Sequence, residues 1–254
     1  MTVVGVLHPG EMGAAVAALL REKGERVLWA SAGRSAATVE RASAAGLEDA
    51  GEVPELLRRC EILLSICPPH AALDVAEATT GFTGIYVDAN AISPGSARTI
   101  AGLQPRFVDG GIVGPPPREP GTTRLYLSGG EAESVAALFS GTPLDARVLS
   151  DEPGAASALK AAYAGWTKGS AALLLAVREL ARAEGVEDAL LEEWRMSIPE
   201  LDDRLAGANR SSRRKGWRWI GEMEEIARSM DAQGLPSGFH DAAAEIFRRA
   251  SQAA

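Results

Sequence analysis

Hydrophobic positions in the first 150 residues fall into two alternating kinds of segment. Short apolar runs rich in β-branched residues are typical of buried parallel strands, and the stretches between them show the three- and four-residue spacing of helices. Alternation of this kind predicts an α/β domain with a doubly wound, mainly parallel sheet. The predicted strands are Thr2 to Leu7, Arg26 to Ser31, Glu61 to Ile66, Ile85 to Asp88, Arg106 to Asp109, Leu125 to Ser128 and Ala146 to Leu149, with a shorter one at Leu47.

A different pattern begins near residue 151. The proline-free stretch from Gly154 to Gly185 predicts one helix of about 30 residues, and its apolar positions lead us to expect that most of its circumference is buried. Further helices are predicted near Ala189 to Trp194, Glu200 to Leu205, Trp217 to Met230 and Asp241 to Ser251, separated by Pro199, Gly207 and residues 234–238. We therefore expect a domain at 1–150 and an all-helical domain at 151–254, joined by the long inter-domain helix.

The composition narrows the class of protein. A formal charge of −8 argues against binding to nucleic acid or to an anionic membrane surface. No run of 18 apolar residues is present, and the N-terminus leads directly into structure, so we expect a soluble, cytoplasmic protein. Cys60 and Cys67 bracket one strand and are expected to be reduced thiols. We expect no metal site.

The first predicted strand ends in the turn His8-Pro9-Gly10-Glu11-Met12-Gly13. Gly10 and Gly13 occupy the second and third glycine positions of the G-x-G-x-x-G fingerprint, and His8 occupies the first. In a βαβ unit this turn indicates a Rossmann dinucleotide-binding domain, with the pyrophosphate at the helix N-terminus. The alternative is a parallel α/β domain whose turn needs glycine only for its geometry. The expected cofactor-binding residues of this turn are His8, Pro9, Gly10, Glu11 and Met12.

The segment after the second strand favours NADP. No Asp or Glu occurs from Arg26 to Val39, although a carboxylate at this place normally holds the ribose hydroxyls of NAD. Arg34 and Ser35 instead suit the 2′-phosphate of NADP through charge-assisted hydrogen bonds. We expect Ser31, Arg34 and Ser35 to contact the cofactor.

Two later predicted strands are followed by residues suited to the same cofactor site. Cys67 and Pro68 follow the strand ending at Ile66, where doubly wound sheets bind ligands, although the prolines are equally explained as a turn that ends a strand. Asn90 follows the strand ending at Asp88 and can donate and accept hydrogen bonds near a nicotinamide. Ser93 is expected to cap the next helix, and the loop around PPPREPGTT suggests a lid.

Three features of the helical region have competing interpretations. Lys160 is either a long stem reaching solvent or a functional amine. The basic patch from Arg210 to Arg218 is most often a solvated face, with the alternative that it clamps a substrate carboxylate or phosphate. His240 is a surface or capping residue, or it contributes to a substrate site.

Four motifs together resemble the β-hydroxyacid dehydrogenase and 6-phosphogluconate dehydrogenase superfamily over essentially the whole chain. They are GVLHPGEMG, VDANAISPGSA, VDGGIVGPP and GAASALKAAYA. The C-terminal half is similar to a branch with a C-terminal domain of unknown function. The resemblance implies that Lys160 exchanges a proton with the substrate oxygen while hydride passes between the carbon and the nicotinamide, and burial favours this role by lowering a lysine pKa.

The substrate motifs depart from the family pattern. The family's helper asparagine is Ala164 here, its serine-threonine pair is Asn90-Ala91, and the serine of its glycine-rich motif is Val113. Tyr163 or Thr167, one and two turns beyond Lys160, are candidates to replace the missing amide. The expected substrate-binding residues are Asn90, Gly114, Tyr163, Thr167 and His240.

The leading hypothesis is an NADP-dependent oxidoreductase acting on a small, anionic hydroxy acid or its keto form. The first alternative is an imine reductase, although such enzymes commonly replace the lysine. The second is a non-catalytic NADP-binding sensor. The apolar long helix and the tryptophans of WRW lead us to expect a homodimer formed through the helical domain.

Overall fold

The computed structural model describes residues 1–252 and divides the chain into two compact units. The first unit is Met1–Lys160 and the second begins at Ala161, so the boundary lies later than the one expected at residue 150. The first unit combines a sheet with helices, and the described part of the second is helical. This architecture confirms the predicted fold class.

The sheet of the first unit has the strand order β3-β2-β1-β4-β5-β6-β7-β8. Its strands are β1 (Val3–Val6), β2 (Arg26–Trp29), β3 (Glu48–Asp49), β4 (Ile62–Ser65), β5 (Ile85–Asp88), β6 (Phe107–Val113), β7 (Thr123–Ser128) and β8 (Leu144–Ser150). Neighbouring strands are parallel except for the antiparallel pair β6 and β7. Because the chain order reverses between β1 and β4, their carboxyl ends form the crevice where such sheets bind ligands.

Helices accompany the strands of the first unit and form the second. They are α1 (Glu11–Glu22), α2 (Ala36–Ala44), α3 (Val53–Arg59), α4 (Ala72–Glu77), α5 (Pro94–Leu103), α6 (Ala132–Leu138), α7 (Ala155–Ala183), α8 (Glu187–Ser197), α9 (Leu201–Asp231) and α10 (Gly238–Gln252). Alternate residues of a buried strand contribute to apolar clusters on opposite faces of the sheet, for example Ile62 and Leu64 of β4 on one face and Leu63 on the other. Ser93 caps α5 as predicted, because its hydroxyl accepts the Ser96 N–H at 3.1 Å.

Strand β6 is longer than the sequence pattern suggested. We predicted that it ends at Asp109, but it continues through Gly110 and Gly111 to Val113. A Cβ at Gly110 would lie 2.9 Å from the Asp88 carbonyl oxygen, and a Cβ at Gly111 would lie 2.9 Å from the Ala156 carbonyl oxygen. The glycines therefore allow close approach of backbone on both sides, and they do not mark a loop.

Helix α7 confirms the predicted long helix, but the expectation that most of its circumference is buried was wrong. The exposed fractions are 71% for Trp166, 62% for Leu180 and about half for Tyr163 and Leu173. Within the second unit, the opposite side of α7 packs against α9 and α10 in a cluster that includes Ala164, Ala172, Met223 and Phe247. Only one side of the helix is thus covered within the described chain.

Helix α9 also differs from the prediction, which placed a break at Gly207. The helix runs without interruption from Leu201 to Asp231. A glycine inside a helix costs only about 1 kcal/mol relative to alanine, which the packing of so long a helix offsets. Among residues 1–252, no helix is both long enough and apolar enough to cross a membrane.

Candidate functional site

The turn between β1 and α1 has an open backbone surface. Gly10 is the N-cap of α1, and no side chain caps the helix. A Cβ at Gly10 would meet no atom within 4 Å, whereas a Cβ at Gly13 would lie 2.5 Å from the His8 carbonyl oxygen. Gly13 therefore has a structural role in closing the turn. Gly10 leaves space in front of backbone N–H groups that can bind an anion.

His8 and Arg34 lie beside this turn with unused polar atoms. His8 Nδ1 and Arg34 Nε are buried and have no hydrogen-bond partner within the described residues. Burial, with the nearby Arg34 charge as a second cause, lowers the pKa of His8 to about 4, so its imidazole is neutral at pH 7. Buried polar atoms are normally paired, so these two fit a ligand that supplies their partners. The residues thus suit a phosphate-bearing nucleotide.

Helix α2 adds two polar side chains, Thr38 and Arg41, that the sequence analysis missed. Arg41 Nε donates to the Pro9 carbonyl oxygen at 3.3 Å, and Arg41 Nη2 donates to the Thr38 hydroxyl at 3.0 Å. The hydroxyls of Thr38 and Ser35 are 3.1 Å apart. Arg41 and Thr38 are separated by one helical turn, a spacing that could have identified the pair. These contacts join the β2–α2 segment to the first turn.

Ser31 contacts an acidic residue outside the segment searched from sequence. Asp49 is the last residue of β3, and its carboxylate accepts the Gly51 N–H at 2.7 Å and a hydrogen bond from Ser31. These bonds, led by the Gly51 N–H, lower the pKa of Asp49. Asp49 lies beyond the segment from Arg26 to Val39, and no local sequence pattern links it to the end of β2. Asp49 is therefore a second candidate, beside Arg34, for the residue that sets cofactor choice.

Cys67 and Asn90 meet at the carboxyl edge of the sheet. The Cys67 N–H donates to Asn90 Oδ1 at 2.5 Å, and Asn90 Nδ2 donates to Asp88 Oδ2 at 2.8 Å and to the Ser65 hydroxyl at 3.2 Å. Both amide hydrogens of Asn90 are used, so its remaining capacity toward a ligand is as an acceptor. Burial raises the pKa of the Cys67 thiol to about 12, so the thiol is protonated at neutral pH.

Asp88 is a buried acid directly beneath this edge. Burial is the main cause that raises its pKa to about 7, and the charge of Asp109 raises it further. The bonds from the Asn90 N–H and side chain act in the opposite direction. Asp88 and Asp109 are register partners on β5 and β6. The centre of the sheet thus contains two neighbouring buried carboxyl groups.

Lys160 lies on α7, at the end of the first unit. Its half-buried amine donates to the Ile112 carbonyl oxygen of β6. Because β6 extends beyond the register pair Asp88 and Asp109, Ile112 lies past the carboxyl end of β5. The amine is therefore directed to the edge of the sheet that carries His8, Cys67 and Asn90, as a functional lysine requires.

The other residues of the first unit that were predicted to belong to the site have defined positions in the structure. Glu11 is exposed in the first turn of α1, whereas Met12 packs on the apolar cluster of the sheet. Pro68 precedes a short 3₁₀ turn at Pro69–Ala71. Gly114 has φ +129°, and a Cβ there would lie 2.4 Å from the Thr122 carbonyl oxygen. The backbone geometry alone therefore explains why glycine occupies this position.

The remaining candidates lie in the second unit. Thr167 donates from its hydroxyl to the Tyr163 carbonyl oxygen at 3.0 Å. His240 is buried, not a surface residue, and its Nε2 would lie 3.2 Å from a Cβ placed at Gly165. Its Nδ1 has no hydrogen-bond partner among residues 1–252. The basic patch occupies the middle of α9, where Arg210, Arg213 and Arg214 are exposed.

A cavity of about 550 Å³ is also found in the second unit, between α7, α8 and α9. Its walls are largely apolar, and Thr167 lies among them. Its lining includes Trp166, Thr167, Trp194, Arg204 and Trp219.

Comparison with known proteins places these features in a family. A family model described as a domain of unknown function, DUF1932, matches residues 181–250. An uncharacterized 28.5 kDa protein in the 7S RNA 5′ region of Methanothermus fervidus is 30% identical over 232 residues, which cover 88% of this chain and 90% of the relative.

Solved structures with the same fold include proteins of known and unknown activity. Conserved protein MTH1747, of unknown function and structurally similar to 3-hydroxyacid dehydrogenases, is 30% identical with a TM-score of 0.75, covering 99% of this chain and 97% of its own. A Mycobacterium tuberculosis 3-hydroxyisobutyrate dehydrogenase studied with L-serine has 16% identity and a TM-score of 0.71, covering 98% and 93%. A reductive aminase from Aspergillus terreus in complex with NADPH and ethyl-5-oxohexanoate has 21% identity and a TM-score of 0.61, covering 100% and 94%. The chain therefore belongs to the same family as these two relatives of 30% identity, within the β-hydroxyacid dehydrogenase and 6-phosphogluconate dehydrogenase superfamily.

Proposed function

We propose that the protein is an NADP-dependent oxidoreductase that transfers a hydride between nicotinamide and a small, anionic hydroxy acid or its keto form. The observation that carries the proposal is the amine of Lys160, which β6 holds at the carboxyl edge of the sheet through the Ile112 carbonyl oxygen. The nucleotide-binding turn and Lys160 belong to the same compact unit. A proton donor and a hydride carrier are the two components that reduction of a carbonyl requires.

The cofactor is assigned to the turn from His8 to Met12. Backbone N–H groups at the start of α1 and the space in front of Gly10 suit the pyrophosphate. Arg34 and Ser35, with Arg41 nearby, supply two guanidinium groups and a hydroxyl for the 2′-phosphate of NADP. When bound, the nicotinamide supplies or accepts the hydride.

Lys160 is the proposed general acid and base. As an ammonium it donates a proton to the substrate oxygen during reduction, and as an amine it accepts that proton during oxidation. The Ile112 carbonyl oxygen orients the amine. Asn90 braces Cys67 at this edge and has acceptor capacity for a ligand. Tyr163 and Thr167 follow on α7 at positions that share a helical face with Lys160, and they are the proposed substrate contacts.

A second candidate activity is the reduction of C=N bonds. Fewer polar groups are available here than the family pattern places around a substrate carboxylate. Val113 and Ala164 are buried apolar residues, and both amide hydrogens of Asn90 already donate to Asp88 and Ser65. A site with fewer polar groups suits a less polar substrate. This observation favours an imine reductase as the alternative, with Lys160 retained.

We also propose a homodimer formed through the helical unit. Trp166, Leu173 and Leu180 form an exposed apolar stripe on α7, and Trp217 of α9 is 58% exposed. Large exposed apolar side chains on one face indicate an interaction surface. Light scattering at micromolar concentration should give about twice the 26.6 kDa of one chain, and a mass equal to one chain would contradict the proposal.

The decisive experiment compares Lys160→Met with Lys23→Met. Both substitutions retain the stem and remove the amine, and Lys23 likewise donates to backbone carbonyls, those of Ala137 and Leu138, near the far end of α1. NADPH oxidation is measured with a panel of keto acids, aldehydes and cyclic imines. We expect Lys160→Met to lower kcat by roughly 10² to 10⁴, with NADPH affinity retained. Lys23→Met should leave kcat within a few-fold.

Three outcomes would change the assignment. Turnover by Lys160→Met close to that of the unmodified protein would remove the lysine from the mechanism. Turnover of imines alone would select the second candidate. NADPH binding without turnover of any panel member would support the remaining hypothesis of a non-catalytic sensor.

A further inference from the structure

The buried carboxylate of Asp109 contacts the first turn of α7. Its Oδ2 accepts the backbone N–H of Gly154 at 3.0 Å and that of Ser157 at 2.9 Å, and its Oδ1 accepts the Ser157 hydroxyl at 2.5 Å. The Ser128 hydroxyl also donates to Oδ2, at 3.1 Å, and its oxygen accepts the Ala156 N–H at 3.1 Å. Strands β6 and β7 together satisfy three backbone N–H groups at the start of the helix.

This arrangement is an N-cap supplied from a distant part of the chain. Helix α7 begins at Ala155, and no N–H donor in its first turn has a partner inside the helix. A capping side chain normally comes from the residue just before the helix, whereas Asp109 precedes Gly154 by 45 residues. Its negative charge also lies at the positive end of the helix dipole. The start of α7 is thereby fixed to the centre of the sheet.

Strand β6 contacts α7 again one turn later. A Cβ at Gly111 would lie 2.9 Å from the Ala156 carbonyl oxygen and 3.1 Å from Lys160 Cβ, so strand and helix are in close contact there. The next residue, Ile112, accepts the hydrogen bond from the Lys160 amine. Asp109 and Ile112 therefore fix two points of α7 from the same strand, and the second of these points is the lysine amine.

We propose that Asp109 is a positioning residue for Lys160: it fixes the first turn of α7 on β6 so that the amine is held at the carboxyl edge of the sheet. The catalytic consequence rests on the proposed function, because Asp109 acts through Lys160. The structural consequence does not, because the position of the amine can be measured without substrate or cofactor.

The first experiment measures acylation of individual lysines by an amine-reactive succinimidyl ester, followed by peptide mass spectrometry. Lys23 serves as internal reference, since its amine also donates to backbone carbonyls but lies away from Asp109. Asp109→Asn removes the charge and replaces one of the two acceptor oxygens by an NH₂ donor, so hydrogen bonds at the start of α7 are lost or weakened. We expect it to raise the labelling of Lys160 relative to Lys23 by about tenfold, as loss of a hydrogen bond to a charged acceptor produces. Unchanged relative labelling in the folded variant would overturn the proposal.

The matched control is Asp88→Asn. Asp88 is the register partner of Asp109 and is equally buried, but it accepts hydrogen bonds from the backbone and side chain of Asn90 and, among the described residues, none from α7. We expect relative labelling of Lys160 to be unchanged in this variant. An equal rise in both variants would show that any loss of a buried carboxylate loosens the helix, and it would overturn the specific role of Asp109.

If Asp109→Asn does not fold, variants that remove individual hydrogen bonds to Asp109 test the same proposal. Ser157→Ala removes one hydrogen bond to Asp109, and Ser128→Ala removes one more together with the partner of the Ala156 N–H. Each should raise relative labelling of Lys160 about two- to fivefold, as expected for one lost hydrogen bond. No rise in either variant would overturn the proposal.

A second readout separates positioning from general damage to the fold. On a substrate identified from the panel, Asp109→Asn should lower kcat with little change in the KM for NADPH. In a Lys160→Met background it should lower kcat no further, because residues that act as a unit are not additive. An additional loss in the double variant would contradict action through Lys160. If no substrate is turned over, the proposed function fails while the labelling result still decides the role of Asp109.

Discussion

Two glycines of the first turn should respond in opposite ways to the same substitution. A Cβ at Gly13 would lie 2.5 Å from the His8 carbonyl oxygen, about half an ångström inside the closest approach that real Cβ atoms make. The obstacle is backbone and cannot rotate away. We expect Gly13→Ala to lower the free energy of unfolding by about 2 to 3 kcal/mol, the usual cost of forced overpacking.

Gly10→Ala should instead leave stability almost unchanged. The added methyl group meets no atom within 4 Å, and Gly10 has φ −70°, which any residue adopts. Reduced freedom of the unfolded chain stabilises by about 0.4 to 1 kcal/mol, and alanine is a poorer N-cap by a similar amount, so the two effects nearly cancel. The methyl group would occupy the space assigned to the pyrophosphate, so NADPH affinity should fall at least about tenfold.

The assay combines urea unfolding without cofactor and NADPH titration followed by fluorescence. We expect Gly10→Ala to be as stable as the parent but to bind NADPH poorly. We expect Gly13→Ala to be destabilised in urea unfolding. Normal NADPH affinity in a folded Gly10→Ala protein would refute the assignment of the phosphates to this turn. A Gly13→Ala protein as stable as the parent would show that the turn can relax around a Cβ.

Two further predictions concern charge. Arg34→Ala should narrow the preference for NADPH over NADH by about 1 to 3 kcal/mol in calorimetric titrations; Asp49→Asn tests the second candidate, and weaker NADH binding in that variant alone would assign cofactor choice to Asp49. Asp88 has a pKa raised from 3.8 to about 7 in the folded protein, so its contribution to stability is fully present below about pH 4 and is lost as the pH rises to about 7. The total change is up to about 4 kcal/mol, and Asp88→Asn should remove this pH dependence from urea unfolding; the same slope in both proteins would exclude Asp88 as its source.

The strands at the centre of the sheet could be predicted because their local sequence is sufficient. The runs ending at Leu7, Ile66 and Asp88 are apolar on both faces, as buried parallel strands require, and each appears in the structure within one or two residues of the predicted bounds. The turn from His8 to Gly13 could be predicted from local sequence in the same way. These elements also place His8, Cys67 and Asn90 after neighbouring strands.

Glycine caused two of the errors of the sequence interpretation. Gly110 and Gly111 resemble a loop, yet they continue β6 because backbone atoms of Asp88 and Ala156 approach too closely for a side chain. Gly207 resembles a helix end, yet α9 continues through it. In the first case the reason lies in residues distant along the chain, and in the second the packing of the whole helix outweighs a local cost of about 1 kcal/mol.

The contacts of Asp109 could not be predicted for the same physical reason. Its partners Ser128, Gly154 and Ser157 are 19 to 48 residues away, and no periodicity links a strand residue to the first turn of a helix at that separation. The sequence suggested Lys160 as a functional amine. The hydrogen bonds that hold this amine in place join β6, β7 and α7, and they follow only from the three-dimensional arrangement of these elements.

The two carboxyl groups of the central strands show how function and stability are connected in this sheet. Asp109 accepts hydrogen bonds from donors of α7 and β7, whereas Asp88 accepts hydrogen bonds from the backbone and side chain of Asn90. The charge of Asp109 that caps the lysine-bearing helix is also one cause of the raised pKa of its register partner Asp88. Fixing Lys160 from the sheet therefore makes ionisation of Asp88 more costly at neutral pH. Such a conflict between stability and local charge is expected where a fold holds a functional group in place. Here it lies between Asp88, which accepts the hydrogen bonds of Asn90, and Asp109, which fixes the lysine-bearing helix.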